Sequence, residues 1–158
     1  MIREILPPET SLAFEAMRSL RTHYDDEAEF VRRVDEDQRP QGYRLVGAFE
    51  DERCVAVAGF RLIRNLATGD HIYVDDLATH PDARGRGHGR ALLEWCAEEA
   101  RRLGCVELKL DSAVERARLD AHRLYFNWGM RITSYHFARQ VHAGPAGHPR
   151  QHSGHRPA

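Results

Sequence analysis

The pattern of apolar and polar positions predicts several β-strands, most of them in the first half of the chain. Runs rich in Val, Ala, Leu and Ile are bounded by Pro, Gly and charged residues, as strands commonly are. A short polar segment at residues 50–53 separates two of the runs, and this spacing is typical of a hairpin. The strands are predicted at residues 1–6, 43–49, 54–63, 71–79, 106–110 and 130–141.

Other segments repeat their apolar residues every three or four positions, which predicts amphipathic helices. Gly104 and Gly129 each follow such a segment and suit the end of a helix. Along the chain, a group of strands comes first and is followed by a strand, a helix, a strand, a helix and a strand. This order favours a mixed α/β sheet in one domain. The helices are predicted at residues 12–20, 26–37, 87–103 and 119–128.

The last residues differ from the rest of the chain in composition. Residues 142–158 (HAGPAGHPRQHSGHRPA) contain almost no apolar side chains and are rich in Gly, Pro and His. Such a segment buries too little to fold, and its histidines match no ordered set of metal ligands. We therefore predict a folded domain over residues 1–141, a disordered tail over 142–158, and no metal site.

Charge and hydropathy narrow the classes of function. The chain of 158 residues has 42% apolar and 30% charged residues and a formal net charge of −1. This balance does not suggest a broad basic surface for nucleic acid. The sequence begins without the apolar core of a signal peptide, and no apolar run reaches the roughly 20 residues needed to span a bilayer. We expect a cytoplasmic protein that binds neither nucleic acid nor membrane.

The strongest chemical signal is a glycine-rich turn at residues 84–89 (RGRGHG), between a predicted strand and a predicted helix. Glycines let a backbone approach a ligand closely, and free amides at a helix N-terminus favour a phosphate group. No lysine follows as a P-loop requires, and Arg90 stands where a dinucleotide fingerprint needs glycine. The pattern indicates a pyrophosphate site; a glycine turn used only for tight packing is the alternative.

This turn, preceded by a strand and by His80-Pro81, resembles the acetyl-CoA signature of the GCN5-related N-acetyltransferase (GNAT) superfamily. The resemblance implies a mixed, largely antiparallel central sheet flanked by helices, and acetyl-CoA as the acyl donor. It further implies that turn amides hold the CoA pyrophosphate while the preceding strand pairs with the pantetheine arm. The implied cofactor-binding residues are Leu77, Ala78, Thr79, Arg84, Arg86, Gly87, His88, Gly89 and Arg90.

A second segment strengthens the resemblance. Residues 121–130 (AHRLYFNWGM) resemble the family's closing A-x-x-L-Y-x-x-x-G-F segment, with Met130 in place of phenylalanine. The family's tyrosine lies near the CoA sulfur, and a phenol can donate a proton to a departing thiolate. The resemblance thus implies that Tyr125 is the general acid; packing of its ring alone is the alternative. Arg118 departs from the family, where many members carry asparagine.

An acidic pair, Asp75-Asp76, lies in the strand before the turn. An amine is protonated at neutral pH and must lose a proton before it attacks a thioester. Family members often place a carboxylate or an ordered water here for this purpose. Neighbouring strand residues point to opposite faces unless a bulge intervenes. Asp76 is our candidate proton acceptor, with a role in positioning or solvation only as the alternative.

The resemblance therefore implies an enzyme that transfers an acetyl group to a primary amine by direct attack in a ternary complex. The amine can be a small molecule or part of a peptide. Assembly into a homodimer is left open. A non-catalytic acyl-CoA-binding module of the same fold is the alternative function. Only the enzyme requires Tyr125 and a proton acceptor.

Overall fold

The computed structural model describes residues 1–141, and the predicted tail at 142–158 lies outside the described residues. The chain divides into two compact units, one up to Asp111 and one from Ser112 onward. The glycine-rich turn at residues 84–89 and the acidic pair Asp75-Asp76 belong to the first unit. Tyr125 belongs to the second.

The first unit is built on a five-stranded sheet whose strands follow their order in the chain. The first four strands are antiparallel neighbours, and the fifth runs parallel to the fourth. This arrangement confirms the mixed, largely antiparallel sheet. The strands are β1 (Ile2–Glu4), β2 (Arg44–Glu50), β3 (Arg53–Asn65), β4 (Gly69–Thr79) and β5 (Glu107–Leu110).

Apolar side chains cover both faces of this sheet because successive residues of a strand point to opposite sides. Helices α1 (Phe14–Arg18) and α2 (Glu27–Arg32) contribute Phe14, Met17 and Phe30 to one core, together with Leu45 and Val57 from the strands. Helix α3 (His88–Arg102) contributes to the other core. That second core includes Val46, Ala58, Phe60, Ile72, Leu92 and Cys96.

The predicted hairpin between β2 and β3 is confirmed. Glu50 pairs with Arg53, so that Asp51 and Glu52 form the turn. Asp51 adopts a φ of 51°, a left-handed conformation that aspartate tolerates better than most residues. The tight turn places Glu50 at the end of β2, near the start of α3.

The first two predicted helices are only partly correct. Residues 9–13 form a 3₁₀ turn before the short helix α1, because apolar spacing of three residues fits either kind of helix. The helix predicted over 26–37 changes from α to π geometry at Arg33. In that wider stretch, Asp35 Oδ1 accepts hydrogen bonds from Thr10 Oγ1 at 2.8 Å and from Arg39 Nε at 2.7 Å.

The second unit contains helix α4 (Leu119–Asn127), which follows a 3₁₀ turn at Arg116–Arg118. The helix ends before Gly129, whose φ of 89° suits glycine. The strand predicted over 130–141 is wrong, since these residues form no regular structure and expose Ile132, Tyr135 and Phe137. Its apolar residues are compatible with a strand, but a strand also needs a neighbour to satisfy its backbone.

Candidate active site

The glycine-rich turn lies where the sequence predicts it, between β4 and α3. Gly85 and Gly87 have φ values of 78° and 87°, which non-glycine residues rarely adopt. A 3₁₀ turn at Pro81–Ala83 connects the end of β4 to this segment. The two glycines therefore reverse the chain so that α3 begins directly after the turn.

Gly87 is the N-cap of α3 and supplies no side chain to cap the helix. The first intrahelical bond runs from the Ala91 amide to the Gly87 carbonyl, at 3.0 Å. The amides of His88, Gly89 and Arg90 therefore precede the helical hydrogen-bond ladder, at the positive end of the helix dipole. This arrangement can hold an anionic group against the backbone.

Two side chains of the turn are anchored to the β2–β3 hairpin. Glu50 accepts hydrogen bonds from Arg86 Nη1 at 2.8 Å, and its Oε1 lies 2.7 Å from His88 Nε2. The hydrogen bonds from His88 and Arg86 hold the pKa of Glu50 below its usual range. Arg84 is differently placed, with Nε 3.4 Å from the Thr79 carbonyl. The two arginines of the turn therefore differ in their ion pairing.

Strand β4 extends beyond its pairing with β5. The β5 register covers His71 to Val74, whereas β4 continues to Thr79 and stays paired with β3 on its other side. Within residues 1–141, no strand pairs with the edge of residues 75–79 that faces away from β3. Leu77, Ala78 and Thr79 therefore lie on a strand edge that leads directly to the glycine-rich turn.

A bulge in β4 decides how the acidic pair is arranged. Gly59 of β3 lies opposite Asp76, while its neighbour Phe60 lies opposite Val74, which leaves Asp75 as the extra residue. A bulge breaks the alternation of faces. Asp75 and Asp76 thus belong to one polar cluster, although regular strand geometry predicts opposite faces.

The cluster contains an arginine for each carboxylate. Asp76 Oδ1 accepts a hydrogen bond from Arg21 Nε at 2.7 Å, and Asp75 Oδ2 accepts one from Arg61 Nε at 2.9 Å. Arg21 also reaches the Asp75 carbonyl from Nη2, at 3.1 Å. The side chain of Asp76 is 12% exposed, so the carboxylate is largely shielded from water.

One tyrosine is hydrogen-bonded to Asp76, and a second tyrosine, on β4, is hydrogen-bonded to Asp111. Tyr43 donates a hydrogen bond from its hydroxyl to Asp76 Oδ2 at 2.8 Å. Burial, followed by the charge of Asp76, raises the pKa of Tyr43 well above its usual value. Burial and a hydrogen bond with Asp111 likewise raise the pKa of Tyr73.

Tyr125 lies in α4 of the second unit, and its side chain is buried there. Burial raises the pKa of Tyr125, and the nearby Arg118 guanidinium partly offsets this effect. His122, one turn earlier, is hydrogen-bonded near the start of the unit: its Nε2 lies 3.1 Å from Ser112 Oγ and 3.0 Å from the Ala113 carbonyl oxygen.

The sequence patterns did not predict that Arg21, Tyr43 and Arg61 belong to the polar cluster. One local signal was present, since a glycine inside a strand often marks a close approach by another group. Gly59 is such a residue. A Cβ atom built at this position would lie 1.7 Å from the Tyr43 hydroxyl oxygen.

A glycine turn at a helix N-terminus, reached along a free strand edge, is a geometry suited to an extended ligand that carries phosphate. The sequence profile described as "Acetyltransferase (GNAT) family" matches residues 4–130. The chain belongs to the GNAT acetyltransferase family. Members of this family use acetyl-CoA.

Similar proteins agree with this assignment. An uncharacterized N-acetyltransferase of Bacillus subtilis strain 168, YhdJ, is 30% identical over 130 residues, covering 82% of this chain and 89% of that protein. The ribosomal-protein-alanine N-acetyltransferase of Brucella melitensis biovar Abortus 2308 has a TM-score of 0.77 at 19% identity, covering 89% and 99% of the two chains. The glucosamine-6-phosphate N-acetyltransferase of Arabidopsis thaliana has a TM-score of 0.71 at 17% identity, covering 90% and 98%. At these identities, the two solved structures establish the fold alone.

Among residues 1–141, no helix is both long enough and apolar enough to cross a membrane.

Proposed function

We propose that this protein is an N-acetyltransferase that transfers the acetyl group of acetyl-CoA to a primary amine. Membership of the GNAT family supports acetyl transfer as the general activity. The observation that carries the cofactor assignment is the free edge of β4 leading to the turn at Gly87. An extended pantetheine arm can pair with this edge, while the amides at the start of α3 receive the pyrophosphate.

The residues proposed for cofactor binding divide by the part of CoA that each would contact. Leu77, Ala78 and Thr79 offer backbone groups to the peptide-like arm. The turn offers backbone amides and positive charge to the phosphates, and its members are Arg84, Arg86, Gly87, His88, Gly89 and Arg90. Acetyl-CoA supplies the activated acyl group as a thioester.

The proposed reaction is direct attack within a ternary complex. Asp76 accepts a proton from the substrate ammonium, directly or through a water molecule. The neutral nitrogen then attacks the thioester carbonyl, a backbone amide polarises the oxygen, and the carbon–sulfur bond breaks. Tyr125 gives its phenolic proton to the departing thiolate, the attacking nitrogen loses its second proton to water as the amide forms, and the Tyr125 phenolate regains a proton from water. Because the pKa of Tyr125 is raised, its phenol is protonated at neutral pH and can serve as this donor.

Cysteine chemistry supports direct attack over an acyl-enzyme. Burial raises the pKa of Cys54 and of Cys96 to about 12, so both side chains stay as thiols at neutral pH. A thiol is a much poorer nucleophile than a thiolate. Cys105 also has a raised pKa because of burial.

The proposed catalytic domain covers residues 1–141 and therefore includes every residue assigned a role. The acceptor is proposed to be a small molecule or a peptide with a primary amine. The two structural neighbours are named for different acceptors, a protein alanine and an amino-sugar phosphate. Similar folds thus accompany different acceptors, so the panel of amines in the test below spans several chemical classes.

One observation favours a second candidate, a non-catalytic module that binds acyl-CoA and regulates a partner. Both oxygens of Asp76 already accept hydrogen bonds, from Arg21 and from Tyr43. A carboxylate whose two oxygens are both hydrogen-bonded within the protein can have a purely structural role. Both candidates bind acyl-CoA at the same site, but only the enzyme transfers the acetyl group to an amine.

The deciding experiment combines cofactor binding with a screen of acceptors. The protein is titrated with CoA, acetyl-CoA, NAD and ATP while its melting temperature is measured, because a ligand that binds the native state raises that temperature. It is then incubated with acetyl-CoA and a panel of polyamines, amino acids, amino sugars, aminoglycosides and short peptides. Released thiol reports transfer. A shift with the CoA compounds and no thiol release above background would support the binding module; a shift only with NAD or ATP would refute both candidates.

A further inference from the structure

Asp76 is held at both carboxylate oxygens by groups distant in the chain. Arg21 occupies Oδ1 and Tyr43 occupies Oδ2, at 2.7 Å and 2.8 Å. Building on the proposed function, we infer that Tyr43 is a positioning residue that fixes the Asp76 carboxylate in the orientation needed to receive the proton of the substrate ammonium. Tyr43 acts through Asp76 and touches neither substrate nor cofactor in this role.

Tyr43 is suited to act as a permanent hydrogen-bond donor. Its side chain is buried, and burial together with the charge of Asp76 raises its pKa. A raised pKa keeps the phenol protonated, so the hydroxyl donates and the carboxylate accepts. Since Asp76 then presents its remaining lone pairs in one fixed arrangement, the enzyme avoids the cost of orienting this group during the reaction.

Gly59 makes the approach of Tyr43 sterically feasible. It lies opposite Asp76 in the ladder between β3 and β4. A Cβ atom at this position would lie 1.7 Å from the Tyr43 hydroxyl oxygen and 2.2 Å from the adjoining ring carbon. The Tyr43 ring therefore occupies the space beside Gly59 that the side chain of any other residue at position 59 would fill. Three segments meet here, with Tyr43 immediately before β2, Gly59 on β3 and Asp76 on β4.

The surrounding charges explain why the hydroxyl has a distinct role. Arg21 carries the positive charge that compensates Asp76, while Arg61 compensates the neighbouring Asp75. Tyr43 adds a neutral donor and no further charge. Replacing its hydroxyl should therefore free one oxygen of Asp76 without leaving the carboxylate unpaired.

The first test is a double-mutant cycle of turnover. Tyr43→Phe keeps the ring and removes the donor, and Asp76→Asn removes the proton acceptor. Turnover is measured with acetyl-CoA and the alkyl primary amine that gives the fastest thiol release in the panel. We expect Y43F to lower kcat by about tenfold, in line with the loss of a hydrogen bond to a charged group. In the D76N background, the same change should leave kcat unaltered, because Tyr43 acts only through Asp76.

Hydroxylamine provides a second readout. It is a weaker base than an alkylamine and is largely unprotonated at neutral pH, so its attack does not require a proton acceptor of this kind. Y43F and D76N should therefore lower the rate with the alkylamine much more than the rate with hydroxylamine. A general packing defect would lower both rates in the same proportion.

Glycine variants control for stability. Gly59→Ala should displace the Tyr43 hydroxyl and reproduce the loss of kcat seen in Y43F. Gly47→Ala, on β2, is the matched control, because the three atoms nearest to its Cβ atom would belong to Cys54, Ile5 and Phe49, at 2.8–2.9 Å, and none of them to the polar cluster. Both variants should lower the melting temperature, but G47A should retain wild-type kcat and CoA affinity in the folded protein.

The outcomes separate this inference from the proposed function. Normal kcat in Y43F, or an equal loss in both backgrounds, would overturn the positioning role while leaving acetyl transfer intact. Normal kcat in D76N would remove Asp76 from the mechanism and the positioning role with it. A wild-type protein that releases no thiol with any amine would overturn the proposed enzyme itself.

Discussion

Glu50 Oε2 lies 2.8 Å from Nη1 of Arg86, so one of the two arginines flanking Gly85 is paired with a carboxylate of the hairpin. Arg86 also donates from Nη2 to the Asp82 carbonyl at 2.8 Å. Arg84, which is also exposed, makes its nearest hydrogen bond to a backbone carbonyl, at 3.4 Å. The charge of Arg84 is therefore more available to a phosphate than that of Arg86.

This difference predicts unequal effects of two matched variants. Arg84→Gln should weaken CoA binding by about fivefold, the upper range for an exposed ion pair. Arg86→Gln should weaken it less, because the charge of Arg86 is already paired with Glu50 and is less available to a phosphate. Calorimetric titration with CoA at two salt concentrations measures both effects. A larger loss in R86Q would mean that Arg86 leaves Glu50 to bind the phosphate.

Gly87→Glu should abolish CoA binding in a protein that remains folded. A Cβ atom at Gly87 meets no other atom within 4 Å, but the φ of 87° strains any other residue at a cost of about 1–3 kcal/mol. The new carboxylate would lie at the start of α3, where it would repel a pyrophosphate. Calorimetry with CoA and circular dichroism check binding and fold.

Gly104→Glu is the matched control for this variant. Gly104 lies just beyond the other end of α3, has a φ of 73°, and also leaves open space for a Cβ atom. The control should carry comparable strain and bind CoA normally. Normal binding by a folded G87E protein would exclude the turn as the cofactor site.

Local sequence patterns predicted the position of the glycine-rich turn but not the polar cluster. The turn is encoded by consecutive residues, because glycines and a following amphipathic helix define it almost completely. The contact of Tyr43 with Asp76 joins residues 33 positions apart, and that of Arg21 with Asp76 spans 55. No local period encodes such pairs. A local sequence pattern likewise does not predict the β4 bulge, because the bulge depends on the register between two strands.

The ion pairs of Glu99 predict a pH-dependent stability. Hydrogen bonds from Arg102, and then from Arg44, lower the pKa of Glu99 to about 2 from a usual value of 4.5. A carboxylate with a lowered folded pKa contributes its stability above the unfolded pKa and loses it as the pH falls through the folded pKa. The contribution should be on the order of 3 kcal/mol near neutral pH, since one pKa unit corresponds to about 1.4 kcal/mol.

Glu99→Gln tests this contribution by comparison with the wild type. Urea denaturation should show the variant to be less stable at pH 7, with the difference shrinking between about pH 4.5 and about pH 2. Other carboxylates titrate in the same window, so the difference between the two proteins is the informative quantity. A difference independent of pH would assign the effect to packing.

Removal of residues 142–158 should leave CoA affinity and acetyl transfer unchanged. The residues proposed to be catalytic or to bind CoA lie between Asp76 and Tyr125, and the family match ends at residue 130. The shortened chain and the full chain are compared by CoA titration, thermal unfolding and turnover. A loss of affinity would show that the proposed domain boundary at 141 is wrong.

Tyr125→Phe should lower turnover while leaving acetyl-CoA affinity nearly unchanged. The substitution removes one hydroxyl and keeps the buried ring. A proton transfer to the leaving group is worth about 10²–10⁴-fold in rate, and the lower end is expected because a thiolate leaves readily. Steady-state kinetics across pH, together with direct titration of CoA, separates the rate from binding. Tyr135→Phe is the matched control, because Tyr135 is an exposed tyrosine of the same unit.

The pH profile adds a second criterion for Tyr125. Burial raises its pKa, so the wild-type rate should fall only at high pH, where the phenol loses the proton that it must donate. In Y125F this basic limb should disappear together with most of the rate. If the rate and the basic limb both persist, Tyr125 takes no part in the proton transfer. If CoA affinity falls in parallel with the rate, the hydroxyl supports the cofactor site, and another group must protonate the thiolate.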